Sequence, residues 1–262
     1  MRIYHYTSIE TLALILDSQK IRFNRLDRVD DLEESCYGSG DYGIKLGQYI
    51  FVSCWTKCSN ENLALWNMYT NNKGVRIALD EDMFVNYDNG RIKSFFSQPL
   101  LWKEDYFTSS IVNSVELHDI HYVPDPIDNI KALVKEERRN ESDGMNIDIK
   151  NAGLYKRMEW ECQRESRFRI VLLPSLNRVE NTENANQVMN FISELQEALI
   201  KNKTLERKYI DIPLNPDKLA NIEVMLGPQT SYADKLIVQS LLRDYPQAKI
   251  CNSFFYDKIN KK

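Results

Sequence analysis

The sequence predicts an α+β domain, with mixed and antiparallel sheets and flanking helices. Three observations predict it. Short β-branched and aromatic runs such as YIFVSCW and GVRIALD read as strands. Between them lie segments whose apolar residues recur at a helical period. No internal repeat, low-complexity block or composition shift divides the 262 residues, so a single domain over 1–262 is expected.

Residues 3–6 read as a short strand. Thr7 and Glu10 stand at the T-x-x-E spacing of a capping box, which predicts a helix start. Ile9, Leu12, Ile15 and Leu16 give that helix an apolar face. Residues 21–23 form a second strand, and DRVDDLEESCYGSGDYG an acidic, glycine-bearing loop or short helix. YIFVSCW, residues 49–55, reads as a strand buried on both faces. Residues 61–69 form a short helix carrying Leu63, Leu65, Trp66 and Tyr69, and Asn72-Lys73-Gly74 turns into GVRIALD.

RIKSFFSQPLLW and SSIVNSVELHDIHYV add strands, and Pro124 and Pro126 mark a break. Residues 127–137 are expected to be helical and RRNESDGMNID a polar loop, which leaves room for a helical insertion at 124–160. IKNAGLYKRMEWE leads helically into CQRESRFRIVLLP, a strand that Pro174 ends. A long helix is expected at 184–203, with Val188, Phe191, Ile192, Leu195 and Leu199 on one face. KYIDIPL and IEVMLG are strands, SYADKLIVQSLLRD a helix and AKICNSFF a last strand.

Composition bounds the function. Hydrophobic residues make up 43% and charged residues 27%, as in ordinary globular chains. A formal charge of -4 gives no general attraction for nucleic acid, although it is compatible with a local basic cleft. The longest apolar runs, LALIL and IVLLP, fall far short of the roughly 20 residues a spanning helix needs, so no membrane partner is expected. Tyr4-His5-Tyr6 interrupts any early signal-like run. Five scattered cysteines fit reduced thiols in a cytoplasm better than a disulfide framework.

Four stretches can carry chemistry. In WECQRESRFRI, strand alternation puts Gln163, Glu165, Arg167 and Arg169 on one face and Phe168, Ile170 and Leu172 on the other. The bland expectation is a solvated or salt-bridged face. The functional one is a Glu165 carboxylate set in a cleft to meet a developing oxocarbenium ion, with Gln163 beside it. In FVSCWTK, Ser53 orients a ligand and Trp55 offers a ring surface, or the strand is simply central with one tolerated serine. His118 and His121 are three apart on a strand, point to opposite faces, and predict no metal site. Asp27, Asp30, Asp31, Glu33 and Glu34 suit a solvated loop, with a divalent-ion site as the alternative.

The order YHYTS, IRF, DDLEE, FVSCWT, ALWNMYTNNKGVRIALD and W-x-x-Q-x-E-x-R resembles the bacterial domain-of-unknown-function family numbered 2971, from residue 3 to about 172, with IEVMLGP continuing it to Pro228. Leu32 stands where that family has proline in N-D-P-x-E, and Gln163 where members often have glutamate in E-x-E-x-R. A fainter resemblance, in HYT, F-x-S-x-[WS]-T and a late Gln-x-Glu, is to DarT-like and other ADP-ribosyltransferases. This resemblance implies an ADP-ribosyltransferase-like fold that takes NAD as substrate. It implies that His5 holds a ribose, that Ser53 supports the nicotinamide end, and that Trp55 or Tyr69 stacks on it. Glu165 becomes the catalytic glutamate and Gln163 positions the acceptor. Tyr6, Thr7 and Arg167 complete the expected cofactor-binding set.

The function expected is thus cleavage of the nicotinamide–ribose bond with transfer to a nucleic acid, a protein or water, in a toxin or phage-defence effector with an antitoxin or immunity partner. Two alternatives stand beside it. One is a non-catalytic binding or scaffold module in which His5 is a core histidine and Glu165 pairs with Arg167 or Arg76. The other is a metal-dependent nuclease built on Asp30–Glu34.

Overall fold

The computed structural model describes residues 1–88, 90–139, 142–179 and 183–259. It is mixed α+β, with antiparallel and mixed sheets and several helices. Strand β1 (Arg2–Thr7) leads into helix α1 (Ile9–Ser18), strand β2 (Lys20–Arg25), the short helix α2 (Glu33–Cys36), strand β3 (Ile50–Thr56), helix α3 (Leu63–Thr70) and strand β4 (Val75–Asp80). The strand Glu165–Val171, here β5, arrives much later in the chain.

The main sheet runs in the order Tyr209–Pro213, β2, β3, β1, β4, Glu223–Leu226, Lys249–Asn252. Only its last pair is parallel. Strand β5 pairs with β3 along its whole length, from Glu165 opposite Thr56 to Val171 opposite Ile50.

The other edge of β3 is divided. Asn24 and Arg25 of β2 pair with Val52 and Phe51, and Tyr4 of β1 pairs with Thr56. Among the described residues no strand pairs with that edge between them. The sheet therefore forks there, and α1 connects the two diverging strands.

Alternation along the strands sorts the side chains. Phe51, Trp55, Phe168, Ile170, Ile3, Ile77 and Leu79 enter the main core, where Phe84, Phe95 and Phe168 meet edge to face. Burying such large apolar groups is the main driving force of the fold. On the opposite face Tyr6, Leu65 and Trp66 form a small cluster under α3. A second core gathers Leu26, Ile50, Val52, Ile130 and Leu133.

Several sequence expectations are corrected. The cap of α1 is Ser8, whose hydroxyl accepts from Thr11 N; Thr7 ends β1 and is buried, so the Thr7–Glu10 box does not form. A true capping box does form later, between Ser231 and Asp234. Helix Ile127–Lys131 covers only part of 127–137, because Val134–Arg139 pairs with Ser142–Ile147 as an antiparallel ladder. Tertiary pairing overrides local propensity there. Residues 140 and 141 of the expected polar loop lie outside the described residues. Among the described residues of 124–160, Ile127–Lys131 alone forms an α-helix, so the stretch is not the helical one expected. The long helix is real, Ala185–Ile200, but Ile192 on its expected inner face is exposed and only Ala198 and Leu199 are buried.

Candidate functional site

The fork in the sheet opens into a cavity of about 690 Å³, within the usual range for small-molecule sites. His5, Tyr6, Thr7, Ser53, Trp55, Tyr69, Gln163, Glu165 and Arg167 all line it. The structure therefore brings together every site residue expected from the sequence. It does so in an unexpected way. The register of β1, β3 and β5 puts His5, Ser53 and Trp55 on one face of the sheet and Glu165, Arg167 and Cys54 on the other. One cavity touches both groups because the strands part at the fork.

Cys54 sits in that gap. Val52 and Thr56, two residues to either side, pair toward β2 and β1, so the main-chain groups of Cys54 face the same edge. Its carbonyl has no strand to accept from. His5 Nδ1 fills the role at 2.8 Å. A carbonyl only accepts, so Nδ1 carries the proton and Nε2 of the neutral ring is an acceptor. Burial pushes the His5 pKa below 6.5, only partly opposed by the Cys54 hydrogen bond, which keeps the ring neutral.

The His5 ring lies 5.2 Å from that of Trp55, tilted by 39°. Trp55 Nε1 donates to Ser53 Oγ at 2.9 Å. Both residues are buried. This internal hydrogen bond explains how a serine is tolerated on a central strand. It leaves the Ser53 hydroxyl proton for another partner.

On the other face lies a closed ring of four buried charges. Arg167 clamps Glu34 with both terminal nitrogens and reaches Glu165 through Nε. Lys156 Nζ bridges the same two carboxylates, 3.0 Å from Glu165 and 3.2 Å from Glu34. All four side chains are at most 7% exposed. Burial alone pushes the Glu165 carboxyl up. The charges of Arg167 and Lys156, with hydrogen bonds from Arg167 and Cys54, outweigh it and bring the pKa down to about 2. Burial likewise pushes the Cys54 thiol well up, reinforced by Glu165, so it stays protonated.

Glu165 is heavily occupied. Arg167 Nε and Nη2, Lys156 Nζ and the Cys54 thiol all address it. A carboxylate offers about four acceptor positions. The alternating polar face of β5 is thus buried and paired rather than solvated. Gln163 is not on the strand. It ends the 3-10 segment Met158–Gln163, and Arg164, with φ 46°, makes the corner into β5. Gln163 Oε1 accepts from Lys156 at 2.8 Å, and its Nε2 donates to the Tyr69 hydroxyl at 2.9 Å.

The acidic stretch is taken apart by its partners. Asp27 pairs with Arg25, Glu33 with Arg157, and Glu34 joins the ring. Among the described residues no group of three or more His, Cys, Asp or Glu could hold a metal ion. His118 and His121 fall on separate short strands, and His121 is exposed beside Tyr155. All five cysteines are free thiols. No helix among the described residues is long and apolar enough to cross a membrane.

Sequence reasoning missed Lys156, Glu34 and Cys54 as parts of the site. Glu34 and Lys156 carried no local signal beyond charge. Cys54 was visible only as the residue between Ser53 and Trp55.

Fold and site define an α+β protein with a ligand-sized cavity, lined by apolar and aromatic side chains together with polar and charged ones, at a fork in its sheet. No family model matches the chain, and neither a curated protein nor a solved structure matches it.

Proposed function

We propose that the cavity is an NAD site and that the chain acts as an ADP-ribosyltransferase-like protein. The observation that carries this reading is that His5, Ser53, Trp55, Tyr69, Gln163 and Glu165, drawn from distant parts of the sequence, line one cavity. The neutral Nε2 of His5 suits a ribose hydroxyl. The Cys54 N–H and the second lone pair of its carbonyl, at the open edge, suit a flat carboxamide. The ionised Glu165 suits the positive charge that grows on the ribose ring as its C1′–N bond breaks. In that step the bonding electron pair leaves with the pyridinium nitrogen, which becomes neutral nicotinamide. C1′ then bonds to the oxygen of a water or an acceptor hydroxyl, whose proton is released.

A second reading has its own support. The acceptor positions of Glu165 are already filled by Arg167, Lys156 and Cys54. That favours a binding module in which the carboxylate holds the fold and the cavity recognises a ligand without turning it over.

Incubation with NAD separates the two. Nicotinamide release by the wild type, abolished in Glu165→Gln at an unchanged NAD Kd, supports the enzyme. NAD binding by calorimetry with no release supports the module. Neither binding nor release removes NAD from both readings.

A further inference from the structure

Lys156 stands at the meeting point of the charge ring and the cavity wall. Its ammonium has three protons and three acceptors: Gln163 Oε1 at 2.8 Å, Glu165 Oε2 at 3.0 Å and Glu34 Oε1 at 3.2 Å. The Trp160 ring lies under it, 4.9 Å from Nζ. Every proton is spent, so the ammonium has one favourable position.

A lysine only donates. The Gln163 atom beside it must therefore be the amide oxygen, and the amide nitrogen must point the other way. It points at the Tyr69 hydroxyl, 2.9 Å off. Tyr69 thus accepts from Gln163 and keeps its own proton, which burial and the negative charge of Asp30 hold on it. Asp30 is exposed and lines the same cavity. The result is a chain with a fixed direction, Lys156 to Gln163 to Tyr69.

We propose that Lys156 is the positioning residue of this cavity: it fixes the orientation of the Glu165 carboxylate and the Gln163 amide, and so leaves the Tyr69 hydroxyl as a donor subsite in the wall for the oxygen of a hydroxyl or water. As a reaction, this rests on the NAD reading, in which that subsite takes the incoming nucleophile. Arg167 cannot substitute for Lys156. Its rigid fork is already locked on Glu34, with Nη1 also held by the Gly153 carbonyl at 3.0 Å.

Ligand-free crystal structures of the wild type and of Lys156→Met test the positioning whether or not NAD binds. The expected result is loss of the Gln163–Tyr69 hydrogen bond and a second Glu165 rotamer. Unchanged Gln163 and Glu165 rotamers overturn the proposal. Should Lys156→Met fail to fold, Gln163→Leu, which keeps the charge ring, is expected to release Tyr69 from its place; an unmoved Tyr69 overturns the chain.

If the wild type releases nicotinamide, Lys156→Met is expected to lower kcat by about 10–100-fold with KM nearly unchanged. Lys156→Arg is expected to regain part of that loss. An unchanged kcat in Lys156→Met sinks the proposal while leaving the NAD reading intact. A wild type that neither binds NAD nor releases nicotinamide sinks the NAD reading, and the rotamers then decide the positioning role alone.

Discussion

His5 gives its Nδ1 proton to the main-chain carbonyl of Cys54, at 2.8 Å. One side chain thereby meets the Cys54 carbonyl at the open edge of β3, leaves the Cys54 N–H to that edge, and turns its own other nitrogen into an acceptor. Burial lowers its pKa from 6.5, so a folded His5 protonates only below that value. Once Nε2 carries a proton it no longer accepts from a hydroxyl. NAD affinity, followed by calorimetry from pH 8 to pH 5, is expected to be flat above about 6.5 and to fall in the acid range. In His5→Gln the fall should be absent. A wild-type affinity that stays level down to pH 5 would show that Nε2 is not the ribose acceptor.

Arg167 joins α2 to β5 across the buried charge ring. Removing one partner of such a pair leaves the other charges unbalanced in a poor solvent for them. Arg167→Met is therefore expected to cost about 3–5 kcal/mol in urea unfolding. Glu34→Gln combined with Arg167→Met should cost clearly less than the sum of the two single changes. Additive costs would mean that the two side chains act independently, against the geometry of the clamp.

Glu165 links the ring to pH. Its folded pKa is held at about 2, below its ordinary value of 4.5. A depressed carboxyl contributes stability that is fully present above the unfolded value and is lost as pH falls through the folded one. The window is therefore about pH 4.5 down to 2. Wild type should lose stability steeply across it, and Glu165→Gln should lose less over the same interval. Parallel curves from pH 6 to pH 2 would contradict the assignment.

How much of this was legible in the sequence depends on range. Strands such as β3 and β4, and the helix 185–200, were readable because period and propensity act locally. So was the grouping of Phe168 and Ile170 on one face of β5. The fork was not readable. It depends on which residues of β1 and β2 pair with Val52 and Thr56, and single-sequence periodicity says nothing of partner choice. The burial of Glu165 and Arg167 was missed for the same reason: a polar face looks solvated until Glu34 and Lys156, 131 and 9 residues earlier than Glu165, arrive to neutralise it. The Thr7–Glu10 spacing misled because Ser8, equally able to cap, lies next to Thr7.

Gly74 tests the close packing beside the site. A Cβ at this position would clash with the Thr7 carbonyl oxygen and meet Thr70 Cβ at 2.8 Å. The first contact is backbone and cannot swing aside. Gly74→Ala is expected to cost about 1–3 kcal/mol of stability. Because Thr7 ends β1 and lines the cavity, ligand affinity should fall as well. A stable Gly74→Ala protein with wild-type binding would show that the β1 end can shift freely.

Ser53 separates structural from ligand-binding duty. Its oxygen accepts from Trp55 Nε1, and both groups are buried, so Ser53→Ala leaves an indole N–H without its acceptor. That is expected to cost about 1–3 kcal/mol in thermal or urea unfolding. If the hydroxyl proton is also used by a ligand, NAD affinity should drop about tenfold further, the worth of roughly one hydrogen bond. Ser53→Thr keeps the oxygen and should spare much of both. A stability loss with unchanged affinity would assign Ser53 to Trp55 alone. On the NAD reading, Trp55 and the main chain of Cys54 would then be left to meet the nicotinamide.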